Sequence, residues 1–347
     1  MMVKCVIWDL DNTLLSGVYL ESGQQPPPPD PAMAAVAAEL GSRGIIHAVA
    51  SRNPPEAAEY AAQAAGLQFA AAECGWGSKS DSVRRIVVDL GLAPDAVAFV
   101  DDDPYERAEV SFAVPQVLVL SPEDMNYALG WPEFSPGLVT AEARRRGEMY
   151  AQRRRRQEEA RAFSGSRAEF LQYCASDMRI SWAVAADVPR LHELSVRTHQ
   201  FNTRGEAVTE PELRRLLRSP AHRVVTAALS DRFGDDGIVG ACVIDQEGSG
   251  TPWTVTLLMM SCRAMGRGVI EALLAWLVRS AARAGAPSVT LPCLVSPRNV
   301  PLRLALAGAG FRAAGGGSPG QPVARFARAL SDPLPPLPGW VTAPEER

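Results

Sequence analysis

The stretch KCVIWDLDNTLLSG, residues 4 to 17, runs from an apolar, β-rich segment straight into Asp9 and Asp11, two carboxylates one residue apart. Two acids that repel each other at the end of a buried strand call for a compensating partner. The same pattern recurs along the first third of the chain. GIIHAVAS (44 to 51) ends in Ser51 and continues into Arg52 and Asn53, AVAFVDD (96 to 102) ends in Asp101 and Asp102, and PQVLVLS (115 to 121) is a further short apolar run. Between them lie PAMAAVAAELGSRG (31 to 44), PPEAAEYAAQAAGL (54 to 67) and KSDSVRRIVVDLGL (79 to 92), which read as helices. Apolar strands alternating with helices predict a parallel sheet in an open α/β fold, and such sheets bind ligands at the carboxyl ends of their strands. The Pro run at 26 to 29 must be a loop.

The strand ends therefore collect Asp9, Asp11, Asn12 and Thr13, then Ser51, Arg52 and Asn53, then Lys79 ahead of a helix, then Asp101 and Asp102. So many carboxylates in one crevice predict a hard divalent cation, Mg²⁺, held by few side chains and several waters, with open positions for phosphate oxygens. Ser51 and Lys79 supply the donor and the positive charge that a phosphoryl group requires.

Bulk properties set the frame for this site. A chain of 347 residues exceeds one ordinary core, so two domains are expected. With 47% hydrophobic and 21% charged residues and a net charge of -4, the composition is that of a globular chain and argues against nucleic acid as the main partner. No apolar run is long enough for a membrane span and none follows a positive N-terminal region, so the chain reads as cytoplasmic, with no membrane partner. Cysteines at 5, 74, 174, 242, 262 and 293 form no CxxC pair and read as reduced thiols.

The second half differs in character. MRISWAVAADVPRLHELSVRTHQFN (178 to 202) reads as strand then helix, and RVVTAALSD, GIVGACVID and WTVTLLMMS (223 to 261) as an antiparallel meander. It leads into SCRAMGRGV (261 to 269) and a long amphipathic helix, then SVTLPCLV and NVPLRLALAGAGF. Arg263, Gly266 and Gly268 stand between strand and helix, where glycines let the backbone approach a ligand and a helix start favours phosphate. A tight turn is the simpler account of the same glycines.

The motifs DLDNT, ASRN, GWGSKSDSVRRI and FVDDDPYERAEV, in this order, resemble the haloacid dehalogenase (HAD) superfamily. The resemblance implies that Asp9 is the phosphoryl-accepting nucleophile and Asp11 the acid/base. It also implies that Mg²⁺ is held by Asp9, Asp101 or Asp102 and the Asp11 carbonyl. The wording of the last two motifs is similar to the FkbH-like branch, subfamily IIIC, whose members convert 1,3-bisphosphoglycerate into a glyceryl thioester on an acyl carrier protein. The second half resembles the GNAT acyltransferase fold, in which Arg263, Gly266 and Gly268 would meet the phosphopantetheine arm of a carrier, or coenzyme A in a free acyltransferase. FkbH-like proteins carry RTNQFN where this chain has RTHQFN, residues 197 to 202, so His199 stands in place of an Asn. Ala305 and Leu306 stand where many GNAT enzymes have a tyrosine, which counts against an N-acetyltransferase.

The resulting expectation is a HAD-like Rossmannoid parallel-sheet domain over 1–125, a charged helical linker over 126–165, a GNAT-like α+β domain over 166–330 and a mobile Pro-rich tail over 331–347. The expected activity loads a glyceryl unit onto a carrier protein. The alternatives are a phosphatase fused to an independent coenzyme A-dependent acyltransferase, and a non-catalytic scaffold. If a protein cysteine relays the acyl group, the favoured candidate is Cys262, for which a helix start and Arg263 would lower the pKa; a buried, inert thiol is the simpler reading. His199, Gln200 and Asn202 are candidates for a cleft between the halves. Eight arginines against four glutamates in residues 142 to 163 either steer an acidic carrier or make a solvated helix, with Met149, Tyr150 and Phe163 as its anchors.

Overall fold

A computed structural model describes residues 2–344 apart from 24, 136–138, 199, 246, 247, 249 and 315–322. The chain divides into two compact units, Met1–Ala162 and Phe163–Arg347. In the first, β1 (Cys5–Trp8), β2 (Ile46–Ser51), β3 (Phe69–Cys74), β4 (Val97–Val100) and β5 (Leu118–Leu120) form one sheet of order β3-β2-β1-β4-β5. Every pairing in it is parallel. The helices are α1 (Pro31–Ser42), α2 (Pro55–Ala65), α3 (Lys79–Leu90), α4 (Pro104–Ala113), α5 (Pro122–Ala128), α6 (Ala141–Arg144) and α7 (Arg146–Ala162).

Residues of β1 alternate between two buried layers, as period-2 geometry requires of a strand covered on both faces. Cys5 and Ile7 join Val83, Ile86 and Leu90 of α3, Val110 of α4 and Tyr150 of α7. Val6 and Trp8 join Met33, Val36 and Leu40 of α1, Ala57 and Ala61 of α2 and Met125 of α5. The edge strand β3 has the sequence FAAAEC and escapes sequence reading, because alanine carries little strand preference.

The charged segment is not a free-standing linker. Helix α7 packs on the first unit, with Met149 and Tyr150 buried. Arg146 donates to the Gly44 carbonyl, and Arg153 donates to those of Asp89 and Leu90 at 2.9 and 3.2 Å. At Gly44 (φ +75°) a Cβ would stand 2.6 Å from the Ala143 carbonyl oxygen, so only glycine lets the chain pass there. Phe163 lies instead in the second unit, against Phe170 and Tyr173.

The second unit contains α8 (Arg167–Tyr173), β6 (Asp177–Trp182), α9 (Val188–Arg197), α10 (Glu210–Arg218), β7 (His222–Asp231), β8 (Gly234–Asp245), β9 (Trp253–Met260), α11 (Val269–Arg283), β10 (Ser288–Leu294), α12 (Val300–Gly308), β11 (Arg312–Ala313), β12 (Val323–Ala329) and β13 (Val341–Thr342). They build one mixed sheet, order β11-β12-β10-β9-β8-β7-β6-β13. One face packs on α11 and α12 through Cys242, Ile244, Leu258 and Met260, the other on α9 and α10 through Val243, Leu257 and Met259. Helix α11 is apolar on most of its circumference, which fits its burial against the sheet.

The Pro-rich tail, expected as a mobile end, makes specific contacts over its described residues. Its β13 pairs in parallel with β6, the Trp340 carbonyl accepts from Met178 N–H at 2.9 Å, and Arg279 and Arg328 donate to the carbonyls of Pro335 and Pro333. Prolines lack the donor but keep the acceptor, so a Pro-rich segment can still be tied down by arginines. Among the described residues, no helix is long and apolar enough to cross a membrane.

Candidate active site

Three adjacent strands set the frame of the site. Asp9 follows β1, Ser51 closes β2 on one side and Asp101 follows β4 on the other. Asp9 N–H donates to the Val100 carbonyl at 2.9 Å and Asp101 N–H to the Leu120 carbonyl at 3.3 Å, so both acids are held at the sheet end by backbone pairing. After Asp9 the chain reverses through Leu10–Leu14, with Asn12 at φ +50°, a left-handed conformation that Asn tolerates.

Lys79, the first residue of α3, is buried and reaches into this group. Its Nζ pairs with Asp9 Oδ1, lies 3.0 Å from Asp101 Oδ2 and donates to the Ala50 carbonyl at 2.9 Å. Burial pushes the Asp9 carboxyl up to about 7, with Lys79 opposing and Asp101 reinforcing the rise. Asp101 is also raised by burial against the pull of Lys79. For Lys79, burial works to lower the pKa, but the two aspartates outweigh it and hold the ammonium above its ordinary range. Lys79 pairs with two of these acids at once, and Asp102 adds a third carboxylate beside them.

Asp9, Asp101 and the exposed Asp102 each bring a carboxylate oxygen to a position within 4.8 Å of the others. An all-oxygen donor set with one open side fits a hard divalent ion such as Mg²⁺. Around it, Asp102 N–H donates to Thr13 Oγ1 at 3.0 Å, and Arg107 Nη1 donates to the carbonyls of Asp101 and Asp102, both at 2.7 Å. The Asp11 side chain is held by two donors: its Oδ1 accepts from Tyr19 N–H at 2.9 Å and its Oδ2 from Asn53 Nδ2 at 3.0 Å. Asn53 also donates to Ser51 Oγ at 3.0 Å, so the Ser-Arg-Asn segment orients both a hydroxyl and the second acid.

Three residues of the site were not singled out in the sequence. Arg107 holds the Asp101–Asp102 carbonyls, Glu106 pairs with Arg52, and Glu109 accepts from Ser80 Oγ at 2.5 Å. All three lie on α4, at i, i+1 and i+3 from position 106, inside the motif FVDDDPYERAEV. Their spacing on one helix was the available signal. A groove of about 620 Å³ elsewhere in this unit, lined by Phe69, Ala71 and Cys74 of β3 with Arg154 and Arg161 of α7, includes none of the site residues.

In the second unit the glycines take the conformations that their turn demands, φ +77° at Gly266 and +78° at Gly268. The chain itself covers this turn. Arg167 Nη2 donates to the Gly266 carbonyl at 2.9 Å, and the Trp340 ring would lie 3.3 Å from a Cβ at Gly268. Arg263 sits in the short turn Cys262–Ala264, its Nε 3.4 Å from Ser261 Oγ. Cys262 is half-buried, but α11 begins only at Val269, so the helix-start argument for an activated thiol does not hold. Cys5, Cys174, Cys242 and Cys293 are buried and Cys74 is half-buried.

Asn202 is enclosed by local backbone. It is 1% exposed, its Oδ1 accepts from the N–H groups of Arg204 and Gly205, and its Nδ2 donates to the Glu206 carbonyl at 3.2 Å. Gln200 is half-buried with Oε1 enclosed, and His199 lies outside the described residues. The segment has another role. Strands β9 and β10 pair only at Trp253/Val289 and Thr254/Thr290 and then separate. Residues 201–203 enter the gap: Met260 N–H donates to the Phe201 carbonyl at 2.9 Å, Thr203 N–H to the Leu258 carbonyl at 3.0 Å, Leu258 N–H to Thr203 Oγ1 at 2.9 Å and Leu294 N–H to the Thr203 carbonyl at 2.7 Å. The open edge of β9 is thus closed by the chain's own backbone. An extended pantetheine arm finds no free strand edge there, so these residues do not fit an arm lying along β9.

Fold and site together define a chain of two α/β units, the first with a carboxylate–lysine cluster at the carboxyl end of a parallel sheet. Among solved structures, the N-terminal part of protein BF1531 from Bacteroides fragilis, containing a phosphatase domain and complexed with Mg, is similar at 31% identity over 37% of this chain, with a TM-score of 0.33. The match spans 39% of that structure's length. Spermidine N-acetyltransferase from Vibrio cholerae, in complex with CoA and spermine, is similar at 14% identity over 45% of this chain and 96% of its own, TM-score 0.36. Ard1 from Thermoplasma volcanium is similar at 15% identity over 44% of this chain and 97% of its own, TM-score 0.36. No family model and no curated protein matches the chain.

Proposed function

We propose that the first unit is a Mg²⁺-dependent phosphoryl-transfer site of the HAD type, and that the whole chain takes 1,3-bisphosphoglycerate, removes phosphate and loads the glyceryl unit as a thioester on an acyl carrier protein. The observation that carries the phosphoryl-transfer part is the placement of Lys79 between Asp9 and Asp101 at the strand ends. The glyceryl and carrier parts rest on the motif resemblance.

Asp9 would attack the phosphorus of the C3 ester, forming an aspartyl phosphate as the P–O bond to C3 breaks. Asp11, oriented by Asn53 and Tyr19 N–H, would give its proton to the departing alkoxide and later take one from the water that hydrolyses the aspartyl phosphate. Lys79, Ser51, Asn12, Thr13, Arg52 and Asn53 would bind the substrate's phosphoryl oxygens. Mg²⁺ bound at Asp9, Asp101 and Asp102 would neutralise phosphoryl charge and favour the ionised form of Asp9. At the other end of the substrate, an acyl phosphate needs no such machinery: the carrier thiolate attacks the acyl carbon, the C–S bond forms and inorganic phosphate leaves.

The second reading is a phosphatase joined to an independent coenzyme A-dependent acyltransferase; Ala305 and Leu306, standing where many GNAT enzymes have a tyrosine, count against it, whereas the closed β9 edge bears on a coenzyme A arm and a carrier arm alike. Intact-mass spectrometry tests the choice. The protein is incubated with Mg²⁺, 1,3-bisphosphoglycerate and a phosphopantetheinylated carrier, with Asp9→Asn as control. A glyceryl-sized gain on the carrier, altered in the control, supports loading. Phosphate release with no mass gain on either protein would leave the phosphatase reading alone.

A further inference from the structure

Arg52 follows β2 and Glu106 lies in the first turn of α4, which follows β4, while β1 and its Asp9 stand between those strands. The Arg52–Glu106 ion pair, 2.8 Å between Nη2 and Oε1, therefore spans the same end of the sheet as the phosphoryl cluster. Its two halves differ in exposure: the Glu106 side chain is 6% exposed and that of Arg52 45%. Glu106 Oε2 is enclosed and has no hydrogen-bond partner among the described residues. The charges acting on Glu106 are Arg52, Lys79, Asp101 and Glu109, which places it beside the cluster.

An exposed ion pair would contribute little. Here one partner is buried, so the guanidinium is held at one corner while almost half of the Arg52 side chain stays exposed. A guanidinium presents donors in a planar fork that matches carboxylate or phosphate, and holding it in place beforehand lowers the entropy lost on binding.

We infer that Arg52 is the specificity residue for the non-reacting end of the substrate, that Glu106 is its positioning residue, and that the site takes organic phosphates carrying a second anionic group. This rests on the phosphoryl-transfer reading of the first unit. Three compounds on one carbon skeleton separate the possibilities. Glycerol 3-phosphate has no second anion, 3-phosphoglycerate has a carboxylate, and glycerol 1,3-bisphosphate has a second phosphate.

Phosphate release is measured with Mg²⁺ for the wild type and for Arg52→Gln, Arg52→Lys and Glu106→Gln, and binding of the same compounds to Asp9→Asn by calorimetry. Wild type favours the doubly anionic compounds by about tenfold or more, mainly through KM. Arg52→Gln removes that preference and Arg52→Lys keeps part of it. Glu106→Gln raises KM for the doubly anionic compounds while kcat holds, a split that general loosening of the fold would not give. A preference for carboxylate over phosphate, or the reverse, identifies the second anion. Preference that survives Arg52→Gln, or equal binding of all three compounds, overturns the inference. If no compound releases phosphate in any variant, the phosphoryl-transfer reading itself falls, and the calorimetric comparison still decides whether Arg52 selects a second anion.

Discussion

Lys79 Nζ lies 3.0 Å from Asp101 Oδ2 while also pairing with Asp9, so one buried ammonium joins the acids that follow β1 and β4. Lys79→Met removes the fixed positive charge from the phosphoryl position. The expected loss in kcat for phosphate release is about 10²- to 10³-fold, the scale of deleting one preorganised electrostatic contact. Steady-state kinetics with a phosphate ester checks it, and an undiminished kcat would remove Lys79 from the site.

Divalent-ion binding should show directly as stability. Mg²⁺ at about 100 times its Kd should stabilise the protein by about 2.7 kcal/mol, and chelation should remove the gain. Asp101→Asn should abolish the response, because Asp101 is one of the three carboxylates that converge. Thermal melts with and without Mg²⁺ give the answer.

His47 supplies an acid-sensitive element away from the site. Trp8 Nε1–H donates to its Nδ1 at 3.1 Å, and burial pulls its pKa down to about 4 from an ordinary 6.5. The unfolded chain therefore binds a proton that the folded chain does not, so stability is complete above pH 6.5 and declines toward pH 4. The contribution reaches about 3 kcal/mol over that window. In His47→Gln the gap to wild type should shift in the variant's favour on acidification from pH 7 to pH 4, as read by urea unfolding.

Arg267 holds two buried carboxylates, donating to Asp231 Oδ2 at 2.7 Å and to Asp236. Arg267→Met takes this cation from both acids, and removing one partner of a buried ion network costs about 3–5 kcal/mol. Denaturant unfolding should show that loss. The triple change Arg267→Met, Asp231→Asn, Asp236→Asn should recover much of it.

Coenzyme A offers a sharp test of the second unit. With the β9 edge occupied by residues 201–203, acetyl-coenzyme A should give no measurable heat on titration. Micromolar binding would mean that this segment is displaced, and would open the β9 edge to a pantetheine arm.

The sequence by itself determined the parts of the protein that are local. Asp9, Ser51 and Asp101 were legible because each ends an apolar strand, and Lys79 because it opens an amphipathic helix. The glycines at 266 and 268 were legible as a turn. Tertiary structure decided what depends on partners far along the chain. Thr203 meets Leu258 and Leu294, Met178 meets Trp340, and Arg52 meets Glu106. None of these pairings is written in a period of 2 or 3.6, because backbone hydrogen bonds and side-chain ion pairs between distant segments follow only from how the sheets are ordered. The Ala-rich β3 was hidden for the same reason: its residues prefer a helix in isolation, and pairing with β2 holds them extended.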